Sequence, residues 1–499
     1  MFQQNRYEFQ RYTSWLKENF KIVCISSALQ LVCCVFALAA LFMDTYPVLL
    51  ILITAVLIWI ENKQEKQINY IKPLVYTDRV KRQIAVSYFL LALLIILCIR
   101  VKNAVPWLIA FFIASLLPWL LIYPMALLTL PLENAVKKWY LNDAKRILRE
   151  HKTMTIIGIT GSYGKTSTKN IIQSVLSEQY ISLMTPASYN TPMGITRTVR
   201  EMMKPVDQVF VCEMCADHVG DITELMEFVH PQIGVVTSIG PQHLSTFGTQ
   251  ENITREKMQM IEMLPADGCG ILNYDNPFIR NWQLKNPVKT ISYGIQSEDA
   301  EYRAVDIEYG PEGSTFKIVH KDESYDFGTK LLGELNILNI LSAVCCARYL
   351  GMSWPVIQRA LKSTHQVEHR LEIKKINGRV FIDDAFNANP TGSRMALDVL
   401  SKMPGRRIVV TPGMIELGEM QDQLNKEFGA YMKDRADEVI LVGIHQVEPI
   451  YEGLKESGYD MDHVLVTNTV KEAFAHLWQT TDGHETILLE NDLPDAFNH

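Results

Sequence analysis

Lys165 and Thr166 lie in the stretch "GITGSYGKTSTKN", with Gly161, Ser162, Tyr163 and Gly164 before them and Ser167 after. A β-branched run, "TMTIIGIT", leads into the stretch and a helically spaced run, "KNIIQSVLSEQY", leads out, so the order is strand, loop, helix. A loop of this kind binds a polyphosphate such as that of ATP. Backbone N–H groups from Gly161 to Ser167 and the amino terminus of the helix surround the phosphates, and the glycines let the backbone come close. The Lys165 ammonium meets the terminal charge and the Thr166 hydroxyl ligates Mg2+. The strict eight-residue nucleotide pattern has glycine where this chain has Ile159, so it is not met in full. Further on, "QVFVCEM" reads as a buried strand ending in Glu213, where an acidic residue at a sheet's carboxyl edge can reach a metal. His243 and Lys257 fall in "VVTSIGPQHLSTFGTQENITREKMQMIE". Taken alone, a loop histidine is polar surface, and a lysine beside Glu256 on a helix is a solvated pair.

These residues need a sheet to hold them. The expected class is α/β: a P-loop central ATPase domain over residues 153–365, then a Rossmann-like doubly wound carboxyl-terminal domain over 366–499. The last domain alternates strands with helices, its strands falling in "GRVFIDDAFNANP", "RRIVVTPGMIELG", "DEVILVG" and "ETILLEN". Cys212 and Cys215 form a CxxC, but no second pair or histidines at ligand spacing follow, so they read as strand-end cysteines and not as zinc ligands. The nine cysteines fit a reducing compartment better than a disulfide framework. A net charge of −7 without a basic patch argues against a nucleic-acid partner.

Read as TGSYGKT, the loop resembles that of the Mur ligase family, ATP-dependent amide-forming enzymes of cell-wall precursor synthesis. The resemblance implies that Glu213 ligates Mg2+, that His243 binds a second Mg2+, and that Lys257 is carbamylated. A carbamate turns an ammonium into a carboxylate-like anion able to hold a cation near the reacting carboxylate. "GILNYDNP" resembles the segment after the metal-binding helix. "LLGELNILNILSAVCCARYLG" resembles the helix carrying the adenine-side asparagine, here Asn336, with Asn339 one turn later; Leu335 stands where many relatives have histidine. "VEHRLE" matches the junction with the carboxyl-terminal domain, with Arg370 reaching toward phosphate on closure.

"IDDAFNANP" with "GMIELGE" is similar to the branch that joins UDP-N-acetylmuramoyl-tripeptide to D-alanyl-D-alanine, which implies that Asp384 and Asn387 line the nucleotide or acceptor side of the cleft. The resemblance spans residues 153–490. It implies Lys165, His243, Lys257 and Arg370 as catalytic residues, and Gly161 to Ser167 with Asn336, Arg370 and Asp384 for ATP. Thr166, Glu213, His243 and carbamylated Lys257 are the implied metal ligands. The cofactors implied are ATP and Mg2+.

The first 132 residues depart from that branch, whose soluble members begin with a globular domain for the uridine diphosphate sugar. Apolar runs at 22–43, 47–60, 84–99 and 105–132 lead to an expectation of four transmembrane helices. Cationic residues cluster before the first run and between the second and third, so both termini and the catalytic domains are expected in the cytosol, in a multi-pass protein of the bacterial cytoplasmic membrane. Residues 133–152 read as a membrane-proximal linker, within which 133–150 is either an amphipathic helix near anionic headgroups or an ordinary connecting helix.

At the other end, "LLENDLPDAFNH" stands where the branch often has a "KGSR" type stretch, an acidic element replacing a basic one. Together these departures lead to an expectation of a membrane-anchored ligase whose carboxylate substrate is a cell-wall precursor that is lipid-linked or otherwise delivered at the membrane surface, and whose amine partner is an amino acid or dipeptide other than D-alanyl-D-alanine. Other readings stay open: a ligase of another polymer, an ATP-driven transporter, or a noncatalytic nucleotide-binding scaffold. Nucleotide hydrolysis that needs both a carboxylate and an amine separates the ligases from the pump.

Overall fold

The computed structural model describes residues 2–3, 7, 9–20, 75–99, 122–242, 244–310, 312–364, 369–385, 390–415, 417, 420–444 and 446–491. The chain divides into two compact units, Met1–Tyr140 and Leu141–His499.

The first unit contains α1 (Phe9–Glu18), α2 (Asp78–Ile99) and most of α3 (Ile122–Glu150). Phe2, Tyr12, Met125 and Ala126 are buried together in a small aromatic cluster. The Arg82 guanidinium forks onto the Glu133 carboxylate with two bonds of 2.8 Å. The expected membrane region is overturned here: among the described residues no helix is long and apolar enough to cross a membrane. In α2 the first turns carry Asp78, Arg79, Lys81 and Arg82, and the apolar run from Ile84 to Ile99, at about 1.5 Å per residue, falls short of a ~30 Å hydrocarbon core. In α3 the apolar part holds Pro131 and gives way to Glu133, Lys137 and Lys138. The multi-pass membrane location falls with the spans. Runs 22–43 and 47–60, and 105–121 of the fourth, lie outside the described residues.

From Leu141 onward α3 belongs to the second unit. Ala144 and Leu148 are buried in its core with Leu141 and Ile147 packed against them, and Arg200 holds Asp143 at 2.7 Å. The apolar stripe of 133–150 therefore meets protein over its last turns.

The first sheet of the second unit has nine strands: β1 (Thr155–Thr160), β2 (Ser182–Met184), β3 (Val209–Glu213), β4 (Ile233–Val236), β5 (Cys269–Asn273), β6 (Lys289–Gly294), β7 (Tyr302–Gly310), β8 (Gly313–His320) and β9 (Glu323–Thr329). Their order is β2-β3-β1-β4-β5-β6-β7-β8-β9, parallel as far as β7 and antiparallel beyond it. β1, β3, β4 and β5 are short apolar runs buried on both faces, as a parallel sheet sandwiched by helices requires. The helices are α4 (Lys165–Leu176), α5 (Pro192–Glu201), α6 (Asp221–Val229), α7 (Gln250–Glu262), α8 (Glu334–Tyr349) and α9 (Trp354–Ser363). α4, α8 and α9 supply one apolar layer, and α5, α6 and α7 the other. Because β1 lies between β3 and β4, the loop that follows it opens at the carboxyl edge of the sheet, where α/β folds bind ligands.

The second sheet contains β10 (Glu372–Ile376), β11 (Arg379–Asp384), β12 (Arg407–Thr411), β13 (Glu438–Val442), β14 (Val464–Thr467) and β15 (Thr486–Glu490), in the order β10-β11-β15-β12-β13-β14. β10 folds back antiparallel on β11 and the other neighbours are parallel. Helices α10 (Pro390–Ser401), α11 (Gln421–Tyr431) and α12 (Glu448–Ser457) cover one face and α13 (Val470–Thr480) the other.

Candidate active site

β1 ends at Thr160, and the chain turns at Gly161 with φ 151°. A β-carbon there would stand 2.1 Å from Thr237 Oγ1, so only glycine fits. The segment after β4 shapes the loop. The Ser162 N–H donates to the Ser238 carbonyl at 2.7 Å, and Ser162 Oγ exchanges bonds of 3.0 Å with the backbone of Gly240. The hydroxyls of Thr237 and Ser238 donate to the Tyr163 carbonyl at 2.6 and 3.0 Å. Gly164, with φ 81°, opens α4, and Lys165 is its first residue. The Lys165 ammonium folds back to donate to the carbonyls of Gly161 and Ser162 at 2.7 and 3.1 Å, inside the curve where phosphate is expected.

Register places Ile159 of β1 beside Glu213 of β3, which brings the Glu213 carboxylate to the first turn of α4. Thr166 Oγ1 lies 3.2 and 3.1 Å from the two Glu213 oxygens, and Asn190 Nδ2 donates to Oε1 at 3.0 Å. Lys169 lies one turn beyond Thr166 on α4, and its ammonium is 3.0 Å from Oε2. Both charged side chains are buried, 1% and 2% exposed. Lys169 also donates to the Ala187 carbonyl at 2.6 Å.

Lys257 lies on α7 and is buried, its ammonium donating to the Ala216 carbonyl at 3.1 Å. Burial, and then the nearby Lys165 ammonium, push Lys257 down to about 8. The downward shift enlarges the neutral-amine fraction, the only form that adds to CO2. The solvated pair with Glu256 is not formed. Glu256 is buried and accepts the N–H groups of Gly220 and Ile222, at 2.9 and 2.7 Å, at the start of α6. A charged residue became a helix cap because α7 packs across the amino end of α6.

Arg370 comes from the junction between the two sheets. Burial lowers it, while the carboxylates of Asp384 and Glu213 hold it up, so its guanidinium feels the Glu213 site. Its neighbours His369 and Leu371 both adopt left-handed backbone, at φ 57° and 50°. His369 Nδ1 lies 2.9 Å from Asp383 Oδ2, and the Leu371 N–H donates to Asp384 Oδ1 at 3.1 Å. Burial pushes Asp384 up to about 6, against the pull of Arg370. Glu490, opposite Asp384 on β15, is fully buried and pushed well above the carboxylate range by burial and by Asp384.

The structure thus brings Gly161 to Ser167 and Glu213 into contact, with the charges of Lys257 and Arg370 near enough to couple to Lys165 and Glu213 respectively. Asn336 donates to the Leu332 carbonyl at 2.8 Å, whereas Asn339 turns to the loop, accepting from Thr168 Oγ1 at 2.8 Å. His243 and Asn387 lie outside the described residues. Sequence reasoning missed Lys169 and Asn190. The signal for Lys169 was its spacing, three residues after Thr166 on one helix face.

Residues 159–347 match the Mur ligase middle domain, and residues 369–490 match the Mur ligase glutamate ligase domain. A two-sheet α/β chain with a glycine loop after its first strand and a buried glutamate beside it, matched in both of these domains, belongs to the Mur ligase family, whose members are ATP-dependent ligases that form amide bonds and use Mg2+.

Within the family it is similar to UDP-N-acetylmuramoyl-tripeptide–D-alanyl-D-alanine ligases. It is 32% identical to that of Bacillus subtilis, over 60% of this chain and 65% of the relative, and 28% identical to that of Escherichia coli, over 59% and 66%. The chain therefore spans just under two thirds of the length of these relatives. In structure it is similar to MurF from Acinetobacter baumannii, with a TM-score of 0.64 and 25% identity over 71% of this chain and 77% of that one. It shares a fold with MurF from Thermotoga maritima in complex with ADP, with a TM-score of 0.64 and 24% identity over 71% and 80%.

Proposed function

We propose that this protein is an ATP-dependent ligase of cell-wall precursor synthesis that activates the carboxylate of a UDP-N-acetylmuramoyl-tripeptide and joins it to the amine of D-alanyl-D-alanine. One observation carries the reading: Lys165, Thr166, buried Glu213 and desolvated Lys257 meet at the carboxyl edge of β1 and β3, in a chain whose relatives are named for that reaction. Among the described residues no helix is long and apolar enough to cross a membrane, so the reading takes the UDP-linked precursor for which the relatives are named.

The residues fit Mg2+. Glu213 and Thr166 offer hard oxygens side by side, and a carbamate on Lys257 with His243 completes the proposed donor set. The ion supplies neutralisation of phosphate charge. The loop N–H groups and Lys165 hold the triphosphate, and Arg370 adds positive charge from the second domain. The substrate carboxylate attacks the γ-phosphorus, giving an acyl phosphate and ADP. The amine then attacks the acyl carbon, and the tetrahedral intermediate expels phosphate to leave the amide. Exclusion of water protects the acyl phosphate between the two steps.

Purified protein given ATP, Mg2+ and both substrates is expected to release ADP in step with a UDP-linked product enlarged by the dipeptide, read by mass spectrometry. ADP release that ignores either substrate would refute the assignment.

A further inference from the structure

We propose that Lys169 is a positioning residue: a cation of the chain itself that fixes one oxygen of Glu213 and, through the Ala187 carbonyl, the loop between β2 and α5. The inference rests on Glu213 being the metal-side carboxylate. Lys169 and Glu213 meet at 3.0 Å with almost no exposure, and the second Lys169 bond, 2.6 Å long, ends on the Ala187 carbonyl. Ala187 has left-handed backbone, φ 43°, a conformation a residue with a β-carbon adopts only when its surroundings impose it. The same loop returns to Glu213 through Asn190 Nδ2, at 3.0 Å from Oε1, and Thr185 Oγ1 accepts the Glu213 N–H at 3.1 Å.

Glu213 is thus a hub joining α4, β3 and the loop, with Oε2 on the Lys169 side and Oε1 on the Asn190 side. The Lys169 side chain is 1% exposed, so its ammonium stays on Oε2, which it shares with the Thr166 hydroxyl at 3.1 Å. Oε1 and Thr166 Oγ1 are left as the pair that a divalent cation can draw on. Lys169 therefore does two things: it lowers the net negative charge a cation finds, and it keeps Glu213 and the loop in one arrangement.

These two roles predict opposite effects on binding and turnover, which a merely structural lysine would not produce. Mn2+ titrated into nucleotide-free protein and followed by electron paramagnetic resonance is expected to bind about tenfold more tightly to Lys169→Met, because a competing cation is gone. Turnover at saturating Mg2+ is expected to fall about a hundredfold, and Lys169→Arg, which keeps the charge, to restore Mn2+ affinity to within about threefold of the parent. Unchanged Mn2+ affinity in Lys169→Met overturns the proposal, as does unchanged turnover. If Lys169→Met does not fold, Lys169→Arg still decides: the proposal requires parental Mn2+ affinity with turnover lowered about tenfold by the displaced loop, and any other pairing overturns it. Parent protein that takes up no Mn2+ even with ADP removes the metal reading of Glu213 itself, an outcome distinct from the others.

Discussion

Asn339 Oδ1 sits against Gly164, so close that a β-carbon on the glycine would come within 3.0 Å of it. The same oxygen accepts the Thr168 hydroxyl, so it cannot swing aside without losing a buried bond. Gly164 also has φ 81°, which costs any other residue about 1 kcal/mol or more. Gly164→Ala should therefore lower stability by roughly 2 kcal/mol and weaken ATP binding more than tenfold, by displacing the start of α4. Chemical denaturation and ADP titration test this, and unchanged ADP affinity would count against the loop assignment.

Lys165→Ala leaves the backbone cradle but removes the ammonium held over the Gly161 and Ser162 carbonyls. Turnover should drop at least a thousandfold while melting shifts little, since the side chain is half-buried and bonds only to its own loop. Substrate-dependent ADP release at a tenth of the parent rate would exclude the role given to Lys165.

For Lys257 the sign of the pH effect follows from burial. Its folded value, about 8, lies below the ordinary 10.5, so between these values the unfolded chain binds more protons and stability rises with pH. Below pH 8 the buried ammonium is a cost. Lys257→Met should be at least as stable as the parent at pH 7, lose the rise between pH 8 and 10.5, and lose turnover by more than a hundredfold. Parent activity should depend on bicarbonate after CO2 is stripped; full activity in CO2-free buffer would remove the carbamate.

Glu256→Ala strips two N–H groups of their acceptor at the start of α6. A loss of roughly 2–3 kcal/mol is expected, with Glu256→Gln losing about half of that. Urea titrations of the two variants check the ranking, and an Ala variant as stable as the parent removes the capping role.

Contiguous chemistry was the most legible part of this chain. Strand, glycine loop, Lys165 and Thr166 follow one another, and Glu213 ends an apolar run, so each could be read from local pattern and was found at the edge of one sheet. Glu256 was not legible, and Lys169 only through its spacing from Thr166, because a charge on a helix face looks like solvated surface until packing closes over it. The apolar runs misled for a related reason. Hydropathy counts apolar residues without measuring the helix that carries them: the run at 84–99 is too short to cross a bilayer and follows a turn bearing Asp78, Arg79, Lys81 and Arg82, and the run ending at 132 continues into Glu133, Lys137 and Lys138 within one helix.

Arg370 arises beyond the first sheet yet responds to Glu213, which belongs to it. On the proposed function, severing the chain near residue 365 would leave a fragment holding the phosphate loop but lacking Arg370, the charge proposed to act from the second domain. Nucleotide capture and catalytic competence would then come apart at a single peptide bond, and adding back the missing half in trans would show whether docking alone restores the second.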